Sequence, residues 1–448
     1  MVMDEFDSQE TTNAEVPAKV RNVFTNRNFT LVYLGALVSN VAALFYSFAV
    51  SFYILKITGN NALIQGLYLA TGGITFCIVT LFGGVISDRF NKAKIMYVCD
   101  YLKGGIIVGF TLLLMFVIKS VEWQVASLFV ITVLLNAIAG IFTPASSALL
   151  PQIVKEQQFQ QAQSYFSILN SFQSIVGVLL AGILYTLVPV EVLFLVVGCC
   201  YVLSAVSEMF IRYDSKFERR GEKLTVRMVF GDMKEGFKYL VSIKSIFALL
   251  LCILFINFFF TPVFNNFAPY FVATDVAGTV YLFHEVMAPE MWSSVFSVAL
   301  GIGSLIMGVV LSVMKQKEKC NVVVRWSMMG ISATMAALAI LYALFKNNHI
   351  NIDVLLLSTT AILFAIGVLL ILVNVPSSAA MMKIIDKDKF GKVTSVGNIG
   401  SQGLIPLSTF LAGLVLTNIG SIGLLAICAG GLLVTSLVLF FLKPVRDI

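Results

Sequence analysis

The chain has 448 residues, of which 58% are hydrophobic and 12% are charged, and its formal net charge is +6. Because soluble domains are about 25% charged, this composition excludes an ordinary soluble protein. Apolar runs of about 20 residues, long enough to cross a bilayer, recur along the chain and predict a polytopic all-α membrane protein.

The net charge comes from basic loops and gives no indication of nucleic-acid binding. The seven Cys residues contain no CxxC pair, so we expect neither a metal site nor a disulfide framework.

Residues 1–28 are polar and acidic, which predicts a disordered cytoplasmic tail without a cleavable signal peptide. Twelve spans follow in two groups of six, over residues 29–212 and 246–442, and residues 443–448 form a cytoplasmic C-terminus. The last two spans are divided near Thr417–Ser421. The linker over residues 213–245 has apolar residues at helical spacing, which predicts an amphipathic helix on the inner leaflet. We favour a passive linker over a docking helix.

Lys and Arg residues predict the orientation of the spans, because cytoplasmic loops are enriched in both. With the N-terminus inside, all but four of the 30 bases fall on the cytoplasmic side or in the tails. The exceptions are Lys56, Lys103, Lys119 and Lys346. Both termini are therefore predicted to be cytoplasmic.

An internal repeat supports the division into two halves. The segment Pro144–Leu150, which closes span 4, is similar to Pro376–Met382, which closes span 10. Such a repeat predicts two pseudo-symmetric six-helix halves related by an axis along the membrane normal.

The loop between spans 2 and 3 contains the pattern Gly-x-x-x-Asp-Arg-x-x-Lys, formed by Gly84, Asp88, Arg89 and Lys92. This pattern resembles the signature loop of the major facilitator superfamily of transporters. With the segments Asn26–Phe29 and Thr58–Asn60, it is similar to the macrolide-efflux branch of bacterial exporters. The resemblance implies the major facilitator fold and the bacterial cytoplasmic membrane. Asn91 stands where the signature has a second Gly, and Asn tolerates the left-handed backbone.

The resemblance also implies a conformational latch on the cytoplasmic face. Asp88 would contact the start of helix 11 near Thr394, where the helix dipole favours a carboxylate. Arg89 and Lys92 would brace this contact, and Gly84 belongs to the same motif. The alternative is that these charges only fix the topology.

Three further charges are candidates for an inner gate. Asp100 and Lys103 lie one turn apart in span 3 and can pair within the helix, and Lys103 can extend toward the membrane surface. A gate network and a purely structural pair remain open. Glu208 is expected to pair with Arg212 at the interface, with proton binding as the alternative.

Amides within the spans predict a weakly polar cavity, because polar groups at this depth need protein or water partners. Adaptable Phe- and Met-rich walls suit bulky amphiphilic substrates. For any single amide, contact between helices is the alternative. The candidates are Asn40, Asn136, Asn170, Gln173, Asn257, Asn374, Asn398 and Gln402.

The resemblance implies a secondary transporter that exports amphiphilic, macrolide-type molecules by alternating access, with protons as the coupling ion. Spans 1 and 4 lack the interior carboxylate that drug/proton antiporters often carry there. The alternatives are a facilitator or exporter of a lysolipid, siderophore or peptide, and a non-transporting receptor or scaffold on the same fold.

No nucleotide-binding loop, nucleophile arrangement or metal-ligand pattern is present, so we expect neither enzymatic activity nor a cofactor. One chain holds both halves, which predicts a functional monomer in the lipid bilayer. The external loop Ala273–Met291 is predicted to be an interfacial helix anchored by Tyr281 and Trp292, or alternatively a lid.

Overall fold

The computed structural model describes residues 23–155, 158–212, 231, 234, 237–313, 321–385, 400 and 402–441. Eleven helices in this part of the chain are long and apolar enough to cross a membrane, and Ile405–Asn418 is a shorter apolar helix. The described residues contain no strand. The predicted all-α fold with twelve membrane helices is confirmed.

Six helices form the first half of the bundle. In chain order, α1 is Arg27–Ile57, α2 is Ala62–Arg89, α3 is Lys92–Phe116 and α4 is Val121–Ile153. Helix α5 comprises Phe159–Phe172, a π-turn at Gln173–Gly177 and Val178–Leu187, and α6 is Val190–Met209.

The second half also contains six helices. Helix α7 comprises Lys244–Pro262, a π-turn at Val263–Phe267, Ala268–Phe271 and a second π-turn at Val272–Val276. Then α8 is Met291–Val313, α9 is Asn321–Lys346 and α10 is Ile352–Ile384. Helix α11 is Ile405–Asn418 and α12 is Gly420–Phe441, separated where the sequence predicts.

Asparagine side chains begin several of these helices. The Asn61 side chain accepts hydrogen bonds from the backbone amides of Leu63 and Ile64, which satisfies donors that have no partner within the helix. Asn91 caps α3 in the same way, 3.0 Å from the Lys94 amide nitrogen. Its φ is −60°, so this position does not use the left-handed conformation that the signature Gly suggested.

Equivalent helix pairs in the two halves pack through glycines. A methyl group added at Gly83 of α2 would lie 2.1 Å from the Gly140 carbonyl oxygen of α4. One added at Gly367 of α10 would lie 2.1 Å from the Leu300 carbonyl oxygen of α8. Small residues allow membrane helices to approach this closely. The pairs α2/α4 and α8/α10 therefore correspond to each other.

The near end of the bundle is defined here as the end where α1 begins, and the far end as the end where α1 finishes. Close contacts between the halves lie toward the far end, where α2 packs on α11 and α5 packs on α8. A methyl group at Gly66 would lie 2.8 Å from the Thr409 carbonyl oxygen. The Ser294 hydroxyl donates to the Val178 carbonyl oxygen at 2.9 Å.

The segment before α1 differs from the prediction of a disordered tail over residues 1–28. Val23 is fully buried, and the rings of Phe24 and Tyr165 have centroids 4.6 Å apart. The Asn26 amide donates to the Ile153 carbonyl oxygen at 2.6 Å, while its oxygen caps α1. The tail prediction is therefore wrong for residues 23–28, because these side chains bury against α4 and α5. Residues 1–22 lie outside the described part.

The connection between α7 and α8 is not the predicted interfacial helix. Helix α7 continues to Val276, and residues 277–290 form turns that begin at Gly278, whose φ is +85°. Tyr281 and Trp292 are 3% and 4% exposed and contact each other. Burial and the nearby Glu290 raise the pKa of Tyr281, so its neutral hydroxyl donates to a carbonyl within the loop.

Only the end of the linker between the halves is described. Residues 237–242 are helical, and Leu240 packs with Ile246 and with Ile385 after α10. Apart from residues 231 and 234, the rest of the predicted amphipathic helix lies outside the described residues. The visible part of the linker therefore contacts the near end of the second half.

Candidate functional site

Residues of the first half line a cavity with a volume of about 680 Å³. This volume lies within the range of about 300–1,000 Å³ that small-molecule sites occupy. All of its lining residues belong to α1–α6. The aromatic and hydroxyl-bearing members of the lining are Ser39, Tyr46, Ser47, Ser51, Tyr68, Thr132, Phe142, Thr143, Ser146, Ser147, Phe166 and Tyr201.

Three of the predicted amides, Asn40, Asn136 and Asn170, lie on the walls of this cavity. The Asn136 amide donates to the carbonyl oxygen and the hydroxyl of Thr132, at 2.8 and 3.1 Å. Gly72 of α2 leaves room for it, since an added methyl group would lie 2.9 Å from the Asn136 amide nitrogen. The structure therefore brings amides from α1, α4 and α5 to one space.

The other predicted amides lie elsewhere. Gln173 opens the π-turn of α5 and is 8% exposed, and its amide nitrogen has no partner among the described residues. Asn257 is half-buried, while Asn374 and Gln402 are exposed. Asn398 lies outside the described residues. None of these five contributes to the walls of the cavity in the first half.

The hydroxyl groups of α1 were missed by sequence reasoning, which searched for amides and charges. Ser39, Ser47 and Ser51 recur at multiples of one helical turn, and all three face the cavity. Serines at this spacing in an apolar span are the signal from which the sequence could have predicted a polar face on α1.

Lys103, Asp100 and Glu208 form a buried cluster beside the cavity, with exposures of 7%, 0% and 0%. The Lys103 ammonium lies 3.0 Å from one Asp100 oxygen. It also lies 4.0 Å from the ring centroid of Phe142 and 5.2 Å from that of Tyr201. Lys103 does not extend to the membrane surface, because its ammonium is held inside the bundle, where it lines the cavity.

Glu208 does not pair with Arg212, contrary to the prediction. Neither of its carboxyl oxygens has a hydrogen-bond partner among the described residues. The side chain points toward α1, where a methyl group at Gly35 would lie 3.2 Å from one carboxyl oxygen. Arg212 instead uses its backbone, whose amide nitrogen donates to the Asn28 side chain at 3.0 Å. Glu208 therefore points into the bundle and not toward the interface.

The signature loop is described only in part. Lys92 is 3% exposed, Arg89 is exposed, and a methyl group at Gly84 would meet no described atom within 4 Å. The backbone of Asp88 belongs to α2, but its side chain lies outside the described part, as does the region around Thr394. The latch therefore stays a prediction. No group of three or more described His, Cys, Asp or Glu residues could hold a metal ion.

Comparison with known proteins agrees with this architecture. The model of the Major Facilitator Superfamily matches residues 31–409. The chain is 24% identical over 387 residues to YkuC, an uncharacterised MFS-type transporter of Bacillus subtilis, covering 84% of this chain and 82% of YkuC. It is 25% identical over 314 residues to macrolide efflux protein A of Streptococcus pyogenes, covering 69% of this chain and 73% of that protein.

Two similar solved structures show the same fold at low sequence identity. One is a bacterial homologue of the iron transporter ferroportin in an inward-facing state, with a TM-score of 0.68, 16% identity and coverage of 92% of this chain and 98% of that one. The other is the inward-open xylose transporter XylE from E. coli, with a TM-score of 0.67, 12% identity and coverage of 94% and 96%. The chain is a multi-pass membrane protein that belongs to the Major Facilitator Superfamily.

Proposed function

We propose that this chain exports amphiphilic small molecules of the macrolide type across the bacterial cytoplasmic membrane, in exchange for protons and as a monomer. In this proposal the near end and both termini face the cytoplasm, in line with the distribution of Lys and Arg. The relationship to macrolide efflux protein A supports the choice of cargo.

The observation that carries the proposal is the composition of the cavity. Aromatic walls provide the apolar contact area that a large amphiphile needs, while amides and hydroxyls can satisfy its scattered polar groups. Asn40 is half-buried on the wall of the cavity, where its amide could meet the polar groups of a ligand. Such a lining suits a cargo that is neither small nor highly charged.

The contacts between the halves support alternating access. The contacts of α2 with α11 and of α5 with α8 would close the path between the halves at the far end. Rocking of one half against the other would open the far end and close the near end around the same cavity. The Asp88 latch would stabilise the closed near end.

Accumulation of labelled erythromycin and of ethidium in cells expressing the chain tests the proposal. We expect low accumulation that rises when a protonophore is added, because export would lose its driving force. Asp88→Asn should raise accumulation as well, since a neutral amide interacts less strongly than a carboxylate with a helix N-terminus. Equal amounts of protein in the membrane must be verified for each variant.

Two amide variants provide a matched comparison for the cavity. Asn40→Ala removes an amide from the wall of the cavity, whereas Asn257→Ala removes one from α7 outside it. Export should decrease several-fold in the first variant, because the cargo would lose one hydrogen bond, which contributes about 0.5–1.5 kcal/mol. Export by the second variant should stay unchanged. Accumulation equal to that in cells without the chain would refute macrolide and dye export, and lysolipids, siderophores and peptides would be tested next.

A further inference from the structure

The carboxyl group of Glu208 in the buried cluster neither lines the cavity nor belongs to the latch. We propose that Glu208 binds and releases the coupling proton, and that Lys103 connects this event to the cavity. The inference rests on the proposed function, since it names the residue by which a proton-coupled exporter would sense its cargo. It places this residue on α6, whereas spans 1 and 4 have no interior carboxylate of their own.

Counting the charges in the cluster indicates one exchangeable proton. Asp100 and Glu208 provide two carboxyl groups, and Lys103 provides one ammonium group, all of them buried. A charge without a partner is costly in a membrane interior, so the cluster is balanced when a single proton is bound. Asp100 already has the Lys103 ammonium at 3.0 Å, whereas neither oxygen of Glu208 has a described partner. The proton therefore belongs on Glu208.

The surroundings of Glu208 connect it to the cavity along α1. Gly35 has no side chain, and its space is occupied by the Glu208 side chain, whose Cγ would lie 3.1 Å from an added methyl group. Ser39, one turn further along α1, lines the cavity, and its hydroxyl has no described hydrogen-bond partner. The Ser204 hydroxyl of α6 also contacts α1 here, since it donates to the Gly35 carbonyl oxygen at 3.0 Å.

The groups that face Glu208 come from each neighbouring helix. Helix α3 contributes Asp100, Lys103 and the Cys99 thiol, while Tyr201 of α6 lies against the Lys103 ammonium, which is 5.2 Å from its ring centroid. Helix α1 faces Glu208 with Gly35, which has no titratable side chain. Lys103 is therefore the group that links Glu208 to the cavity, because it interacts with both carboxyl groups and also lines the cavity wall.

The coupling follows from electrostatics alone. When Glu208 loses its proton, the cluster carries one net negative charge beside the cavity, and the Lys103 ammonium is attracted by two carboxylates instead of one. A macrolide with a protonated amine is then favoured in the cavity. When the proton returns, this attraction is lost and the cargo is released. Binding of proton and cargo thus oppose each other, as an exchanger requires.

Infrared spectroscopy of the purified full-length protein tests the proton site without any cargo. The wild type should show the carbonyl stretch of a protonated carboxyl group that disappears as the pH is raised. Glu208→Gln should lack this titrating band, whereas Glu191→Gln, a matched change at the far end of α6, should keep it. A wild type without the band, or the same titration in Glu208→Gln, would overturn the assignment.

Proton release on binding of erythromycin tests the coupling. In weak buffer with a pH indicator, the wild type should release up to about one proton per bound molecule, and its affinity should rise by up to about tenfold per pH unit. Glu208→Gln should bind without proton release, with an affinity that does not depend on pH. Binding by the wild type without proton release would refute the coupling. Failure to bind at all would refute the proposed cargo, and the infrared result would still decide the proton site.

Discussion

Lys103 contacts three features of the first half: a buried carboxylate, an aromatic ring and the cavity. Its ammonium pairs with Asp100, lies over the Phe142 ring and forms part of the cavity wall. In a membrane interior such a charge persists only with partners of this kind. The side chain therefore has a structural role that can be measured separately from transport.

Replacing this lysine should destabilise the protein. Lys103→Met leaves Asp100 without its cation, and removing one partner of a buried ion pair costs about 3–5 kcal/mol. Thermal unfolding in detergent should show a lower melting temperature for this variant. The double variant Asp100→Asn with Lys103→Met removes both charges and should recover most of the loss. Lys94→Met, at an exposed position of the same helix, serves as the control.

If the double variant is no more stable than Lys103→Met, the loss does not come from an uncompensated charge. The role of Lys103 would then be explained by the packing of its side chain. Equal melting temperatures for the wild type and Lys103→Met would contradict the structural role altogether.

The sequence predicted one part of this cluster and missed another. The spacing of Asp100 and Lys103 predicted their ion pair, because residues three apart share a helix face. The same local reasoning assigned Glu208 to Arg212, four residues away, and was wrong. The position of Glu208 depends on the missing side chain at Gly35, which is 173 positions away in the chain. Local spacing contains no information about such a contact.

At the scale of helices, the seam between α2 and α11 depends on two glycines. A methyl group at Gly66 would lie 2.8 Å from the Thr409 carbonyl oxygen and 3.0 Å from the Gly413 Cα atom. Both are backbone atoms, which cannot rotate away as a side chain would. Gly66→Ala should therefore push the two helices apart and favour states in which the far end is open.

Spin labels at Val121 and Ile419, which are exposed residues near the far end of each half, can report this change. The distance between them should increase in Gly66→Ala. Gly105→Ala places its methyl group where no described atom lies within 4 Å, and its distances should match the wild type. An unchanged distance in Gly66→Ala would show that α2 and α11 tolerate the methyl group without separating.

Hydropathy was sufficient to place the helices, but their internal irregularities could not be predicted. Long apolar runs and loop charges fix the ends of a span to within a few residues, because lipid excludes other backbone conformations. The π-turn at Gln173–Gly177 has no such signal. It changes which side chains after the turn share a face with those before it. Asn170, before the turn, lines the cavity, whereas Gln173 is buried and does not.

At the scale of the whole molecule, the orientation in the membrane can be tested at two exposed residues. Val286 lies in the loop between α7 and α8 and is 86% exposed, whereas Phe90 lies between α2 and α3 and is 61% exposed. In a background without native Cys, Val286→Cys should react with an impermeant maleimide in intact cells. Phe90→Cys should react only after permeabilisation, because the near end is predicted to face the cytoplasm. The reverse pattern would invert the topology.

The division into two halves was visible in the sequence, but the location of the cavity was not. The repeat of Pro144–Leu150 at Pro376–Met382 predicted two equivalent units. Amides occur in both units and suggested a shared cavity, yet the described cavity belongs to one unit alone. Which unit encloses more space depends on how side chains from six helices fill it, and no pattern along a single helix determines this.

The described lining of the cavity comes from α1–α6, which has a consequence for how such a protein changes over generations. If the proposed function is correct, substitutions that change the bound compound would accumulate among the cavity residues of the first half. The glycines where the halves meet, Gly66 and Gly413, would tolerate few substitutions, because an added methyl group at either would meet backbone atoms of the other half. The cavity residues and the seam glycines would therefore change at different rates.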